Sequence, residues 1–253
     1  MKKLLCLLVF LLLFTNVTKA THAAGGELLY SWVSDSTYKV TFKFYRDCSG
    51  IPEPTFFDCY FINMCTGNCG TFQLNKKTGT NGQEVSTGCP GYPSTCNGGS
   101  LPGYREWIYE GNITLTSRCN YWKFFINESS RNGGITNLTS PGTQALYVEA
   151  TLNNQYAQGN SSPYFTVKPV PYVCSNSQFN FNNGAVDVNG DSLSFSIIQP
   201  RSGSTNCNIP TTDIAFSNTT LYNLVNNPLS CNNTFSINPT SGQLSFIPVS
   251  YTH

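Results

Sequence analysis

TYKVTFKF, from Thr37 to Phe44, sets Tyr38, Val40, Phe42 and Phe44 against Lys39, Thr41 and Lys43 in strict alternation. Successive side chains of a strand point to opposite faces, so this stretch reads as a strand with one face in a core and the other toward solvent. The same period returns along the chain. Ile113 and Leu115 carry it, then Trp122, Phe124 and Ile126, then Leu146, Val148, Ala150 and Leu152. Further on come Leu193, Phe195 and Ile197, then Phe235 and Ile237, then Leu244 and Phe246. Gly, Asn, Ser and Pro fill the intervals as turn residues. No segment after the first twenty residues shows an apolar stripe of helical period. The chain is expected to be all-β, arranged in sandwiches.

The start of the chain predicts its compartment. MKKLLCLLVFLLLF has two lysines followed by an uncharged apolar run from Leu4 to Phe14. At ~1.5 Å per helical residue the run covers about half of a hydrocarbon core ~30 Å thick. With small residues after it, the segment 1–20 reads as a secretory signal peptide cut near Ala20, with a short membrane anchor as the competing reading. No later stretch is apolar for long enough to span a bilayer. The expected location is extracellular, secreted or at a cell surface, with no membrane span.

Cysteine usage agrees. Of 11 cysteines, Cys6 lies in the leader. The others are Cys48, Cys59, Cys65, Cys69, Cys89, Cys96, Cys119, Cys174, Cys207 and Cys231, and an even set in an exported chain reads as a disulfide framework. Zinc bound by Cys59, Cys65 and Cys69 is the alternative, but the two histidines, His22 and His253, sit at opposite ends. Charged residues are 11% of the chain and the net charge is +1, so no basic face for nucleic acid is expected.

Pro163, Pro169 and Pro171 stiffen SSPYFTVKPVPYVC and mark a boundary. Residues 21–170 form the expected N-terminal, Cys-rich β-sandwich domain, and 171–253 a second domain. Seven cysteines precede the boundary and three follow it. Complete pairing therefore requires a disulfide across the boundary, unless Cys174 belongs to the first domain.

Several stretches carry a resemblance: THAAGGELLYSWVSDSTYKVTFKFYRDCSG (Thr21 to Gly50), SSRNGGITNL (Ser129 to Leu138), LYVEATLNN (Leu146 to Asn154) and NSSPYFTVKPVPYVC (Asn160 to Cys174). AVDVNGDSLSFSIIQP (Ala185 to Pro200) and FSINPTSGQLSFIP (Phe235 to Pro248) follow in order. Together they resemble the N-terminal part of large exported Bacteroidetes surface proteins of the adhesin or gliding-motility-associated type. The last two are also similar to cadherin-like domains. The resemblance implies two consecutive immunoglobulin-like β-sandwich domains, disulfide-stabilised, and an adhesion or surface-structural role. It also implies that the second domain lacks its C-terminal edge strand.

Four candidate sites stand out. Asp187, Asn189 and Asp191 offer oxygen donors at alternate positions around Gly190, which suits calcium; the competing reading is a polar turn whose Asx side chains bond local amides. The acid-poor chain and the presence of Ile198, not glutamate, at the twelfth position counted from Asp187 favour the turn. Glu106 and Glu110 flank Trp107, but four residues of strand separate them by ~13 Å, too far for a glycosidase pair needing ~5–9.5 Å. With histidines only at the ends, no base serves a serine or cysteine nucleophile. A non-enzymatic protein is expected. Trp107 is the aromatic expected to stack on a sugar, whereas Trp122 falls in phase with the core. Sequons at Asn112, Asn127, Asn137, Asn160, Asn218 and Asn232 read as ordinary polar positions in a bacterial host. The expected function is an adhesion or structural module, stiffened by calcium only if the Asp187 turn is a metal loop, with an extracellular protein or glycan as partner; the alternative is a carbohydrate-binding module.

Overall fold

The computed structural model describes residues 23–79, 82–85, 91–169, 172–203, 207 and 211–249. The segment read as a leader, Cys89 and Pro171 lie outside the described residues. The chain is all-β, and every pair of named strands is antiparallel.

The first part forms one sheet from β1 (Ala23–Ser34), β2 (Thr37–Asp47), β3 (Phe56–Asn63), β4 (Cys69–Lys76), β5 (Gln83–Glu84), β6 (Tyr104–Thr114), β7 (Trp122–Glu128) and β8 (Leu146–Leu152). Its order is β1-β2-β6-β4-β3-β7-β8, with β5 added on β6. The opening stretch is the heart of β2: Tyr38, Val40 and Phe42 are fully buried. They meet Trp122, Phe124 and Ile126 of β7 and Leu146 and Leu152 of β8 in one core. Because those residues come from strands far apart in the order, the sheet must fold over on itself. The Tyr30 ring packs on Tyr38 and Phe124 at centroid distances of 6.1 and 6.2 Å, and its hydroxyl donates to the Thr151 carbonyl. That hydroxyl links the two edge strands, β1 and β8.

β3 shows why some strands escape a reading by alternation. FFDCYFIN buries Phe57 and Cys59 in the core, yet on the other face Tyr60 stacks on Phe125 at 5.0 Å. A strand covered on both faces reads as an apolar run without period. Two disulfides pin the loops: Cys48–Cys96 joins the end of β2 to the segment before β6, and Cys65–Cys119 joins the β3–β4 turn to the β6–β7 loop.

The second part contains β9 (Tyr164–Phe165), β10 (Phe179–Phe181), β11 (Ala185–Val186), β12 (Arg201–Ser202), β13 (Thr212–Asp213), β14 (Ser236–Ile237) and β15 (Leu244–Phe246). They make three small sheets, β10-β15-β14, β11-β9 and β12-β13. Cys231, Phe235 and Phe246 are the buried centre of a modest core. The strand expected at Leu193 to Ile197 does not form a ladder. No strand is assigned there; the residues alternate between half-buried and exposed, as the expected strand would, but between Leu193 and Ile198 the one backbone hydrogen bond among the described residues is Phe195 N–H to the Pro239 carbonyl, 2.9 Å. The side-chain pattern is present, and the neighbouring strand is not.

Hydrogen bonds join the two parts. Ser162 N–H donates to the Tyr30 carbonyl, Lys43 reaches the Phe165 carbonyl, and Lys168 pairs with Glu106 at 3.3 Å. The proline-rich stretch, as far as Pro169, thus lies against β1, β2 and β6. No helix among the described residues is long and apolar enough to cross a membrane.

Candidate functional site

A cleft of about 570 Å³ lies where the edges of the large sheet meet the second part. Its walls are Gly26 to Leu29 of β1, Val148 and Glu149 of β8, Tyr164 and Phe165 of β9, and the extended segment Leu193 to Ile198. The lining is mostly apolar. Three elements border it: both edge strands of the large sheet and the unladdered segment, whose burial alternates as a strand's would. In an extended chain the N–H and C=O of one residue point to the same side, and those of the next to the opposite side. Phe195 uses its N–H toward Pro239, and the backbone groups of Ser194 and Ser196 have no partner among the described residues. A row of such groups is a template for pairing with another strand.

The two carboxylates of the cleft are engaged. Glu27 pairs with Lys43 at 3.0 Å and accepts from the Tyr45 hydroxyl at 2.6 Å. Glu149 pairs with Lys123 at 3.1 Å and Arg201 at 3.4 Å, and accepts from Tyr147 at 2.6 Å. Burial works against the Glu149 charge, but the Tyr147 and Lys123 hydrogen bonds and the charges of Lys123 and Arg201 hold it below its ordinary value. Burial, and then the Glu27 carboxylate, push the Tyr45 hydroxyl far up. These groups fix the strands against one another. A second hollow, about 730 Å³, surrounds Asp47, whose buried carboxylate already accepts from Ser49 and Asn132.

The Asp187–Asp191 turn sits beside the cleft. Asp187 Oδ1 accepts the backbone N–H of Asn189 at 2.8 Å and of Asp191 at 3.2 Å, and Gly190 adopts φ +83°. Asn189 Oδ1 accepts the Ser161 N–H at 2.9 Å. This is an Asx cap that tethers the turn to the end of the first part. Burial, and then nearby Tyr38, Asp187 and Asp191, push the Tyr30 hydroxyl up to about 12. No group of three or more His, Cys, Asp or Glu side chains is placed to hold a metal ion among the described residues.

Trp107 lies on β6 in the same phase as Tyr109, opposite Phe44 of β2, and packs half-buried against the core. Lys76 Nζ lies 4.8 Å from its ring centroid, and the Gly82 backbone approaches the indole closely. Its rim is occupied by the protein itself. Trp122 is buried, and Trp32, 43% exposed, is the more open of the three indoles. Glu106 is buried beneath Lys168 and next to the Tyr45 hydroxyl, because the proline-rich stretch covers it. Glu110 is held by Lys39 and Lys77.

Of the ten cysteines after the leader, Cys48, Cys96, Cys65 and Cys119 are bridged, which takes Cys65 out of the zinc alternative. Cys59 and Cys231 are buried thiols, Cys174 is exposed, and Cys69 and Cys207 are half-buried. Burial pushes the Cys59 thiol well up, as expected of an unreactive core residue. The cleft was missed in the sequence because its walls are edge strands distant along the chain. The one local signal was the alternation at Leu193 to Ile197. No family model matches the chain, and no curated protein or solved structure matches it.

Proposed function

We propose that this is a non-enzymatic, secreted or cell-surface module of adhesive or structural type, built of immunoglobulin-like β-sandwich units. In this reading, its cleft takes an extended strand of an extracellular partner protein. The observation that carries it is the segment Leu193 to Ile198: alternately half-buried, with one backbone hydrogen bond, and forming a wall of an apolar cleft. Main-chain hydrogen bonds would give such a complex affinity, and pockets for alternate side chains its specificity. The engaged carboxylates of the cleft support a binding rather than a catalytic role. The leader, the disulfides and the resemblance to exported surface proteins support the location.

The test is binding of the exported chain to arrays of matrix proteins and glycans, with and without calcium. A protein ligand should lose at least about tenfold in affinity on Ser196→Pro, which removes an N–H from the open edge, and keep it on Ser196→Thr. Equal binding by both variants, at unchanged melting temperature, would sink the strand-pairing reading. The carbohydrate-binding alternative rests on exposed aromatics such as Trp32 and predicts a glycan hit weakened by Trp32→Ala. Trp107, wedged between Lys76 and Gly82, supports it less. A calcium ion at Asp187, Asn189 and Asp191 has the least support, since the Asp187 carboxylate already caps two amides.

A further inference from the structure

Residues 201 to 203 are fastened to the outer face of the large sheet. Arg201 pairs with Glu149 of β8, Ser202 Oγ accepts the Ala145 N–H, and Gly203 N–H donates to Asn127 Oδ1 of β7. A Cβ at Gly203 would strike the Tyr147 ring, so the backbone lies directly on the sheet. Cys69 faces the same side. It is the register partner of Ile62, which pairs with Lys123, and Lys123 shares the outer face with Phe125 and Asn127. Four residues beyond Gly203, the Cys207 thiol lies close enough to the Cys69 thiol for the two to interact.

The path is consistent with chain geometry. Crossing from β7 through β3 to β4 takes about 10 Å, and moving from the level of Asn127 to that of Lys123 takes about 13 Å, a diagonal of about 16 Å. Four residues of chain can reach at most about 14 Å, and the side chains of Asn127 and the two cysteines can supply the remainder. Both thiols are half-buried on one face, whereas Cys59 is sealed on the opposite face in the core.

We infer that Cys69 and Cys207 form a third disulfide, which locks the second part of the chain onto the outer face of the large sheet. This bond answers the odd count of cysteines on each side of the proline-rich stretch. An external disulfide of the glutathione type is the oxidant. The thiolate of one cysteine attacks it, forms a mixed disulfide and releases one external thiol; the second cysteine then attacks the protein-bound sulfur and releases the other. Two protein thiols lose two electrons, and one external disulfide becomes two thiols, which carry the protons away. Burial, and then the neighbouring Cys69, push the Cys207 thiol up to about 11, so few thiolates are present at neutral pH and closure should quicken as pH rises.

Peptide mapping tests this directly. The full chain, equilibrated with oxidised and reduced glutathione, is trapped by alkylation under denaturing, non-reducing conditions and digested. The expected product is a peptide pair linking Cys69 to Cys207, in stoichiometric yield. Alkylation of both, or pairing of either with Cys59, Cys89, Cys174 or Cys231, overturns the assignment. Cys69→Ser and Cys207→Ser should each leave its partner alkylatable and lower the melting temperature by about 5–10 °C, and the double variant should melt with the singles. Losses that add in the double variant overturn the pairing.

Discussion

The two parts of this molecule use the same strand grammar with different results. In β2 the alternation of Tyr38, Val40, Phe42 and Phe44 meets a full register on both sides, β1 and β6, and all four side chains are buried. At Leu193, Phe195 and Ile197 the same alternation meets one backbone bond, and Ile198 beside it is 63% exposed. Alternation encodes a strand's faces. Whether a strand becomes part of a sheet depends on a neighbour supplied from elsewhere in the chain, or from another chain. The large sheet is closed around an aromatic core; the second part has short sheets and a core centred on three buried residues, and its segment Leu193 to Ile198 stays outside any ladder.

Core truncation gives the largest effect and would break this contrast most directly. Phe124→Ala, at the centre of the large core, should cost about 3–5 kcal/mol in denaturant unfolding. Phe246→Ala, in the small core, should cost about 1–2 kcal/mol, because its shallower site recovers part of the loss by collapsing or admitting water. Equal losses would mean that the second part is packed as well as the first.

A smaller effect is expected from Glu128, at the end of β7. Burial raises its carboxyl from 4.5 to about 7. The folded state therefore holds the proton more tightly than the unfolded one. Stability is full below pH about 4.5, falls as pH rises toward 7, and stays lowered above it. Glu128→Gln should stabilise the protein at pH 8 by about 1–2 kcal/mol, roughly half of the full shift because solvent still reaches the side chain, and by nothing at pH 4. A variant that melts with the parent at pH 8 would show that the large core does not desolvate this group.

The smallest effects belong to the Asp187 turn. Asp187→Ala should cost about 0.5–2 kcal/mol in chelator, through loss of two capped amides, while Asp191→Ala should cost close to nothing. The parent's melting temperature should stay flat up to about 10 mM calcium, a generous excess over the ~10⁻⁴–10⁻³ M of weak extracellular sites. A calcium-dependent rise removed by both variants would turn the cap into a metal loop, and the second part into a ligand-stiffened one.

Much of this was legible along the chain. β2, β7, β8 and β15 lie where alternation placed them, since a strand's two faces follow from a period of two that neighbouring residues carry by themselves. β3 was hidden because Phe57 and Tyr60 are covered on opposite faces. Trp107 shows the same limit at one residue: its phase with Tyr109 was local, but its cover by Lys76 and Gly82 came from another strand and a turn. Asp187, Asn189 and Asp191 held both readings in sequence, and the amides they face were determined by backbone conformation. By itself the sequence determined the all-β class, the buried face of most strands and the presence of many cysteines. The tertiary structure alone decided the strand order, the cleft between β1, β8 and Leu193 to Ile198, the engagement of Glu27 and Glu149, and the meeting of Cys69 with Cys207. The physical reason is range: faces are written between residues two apart, whereas ladders, clefts and thiol contacts join residues brought together only when the chain closes long loops.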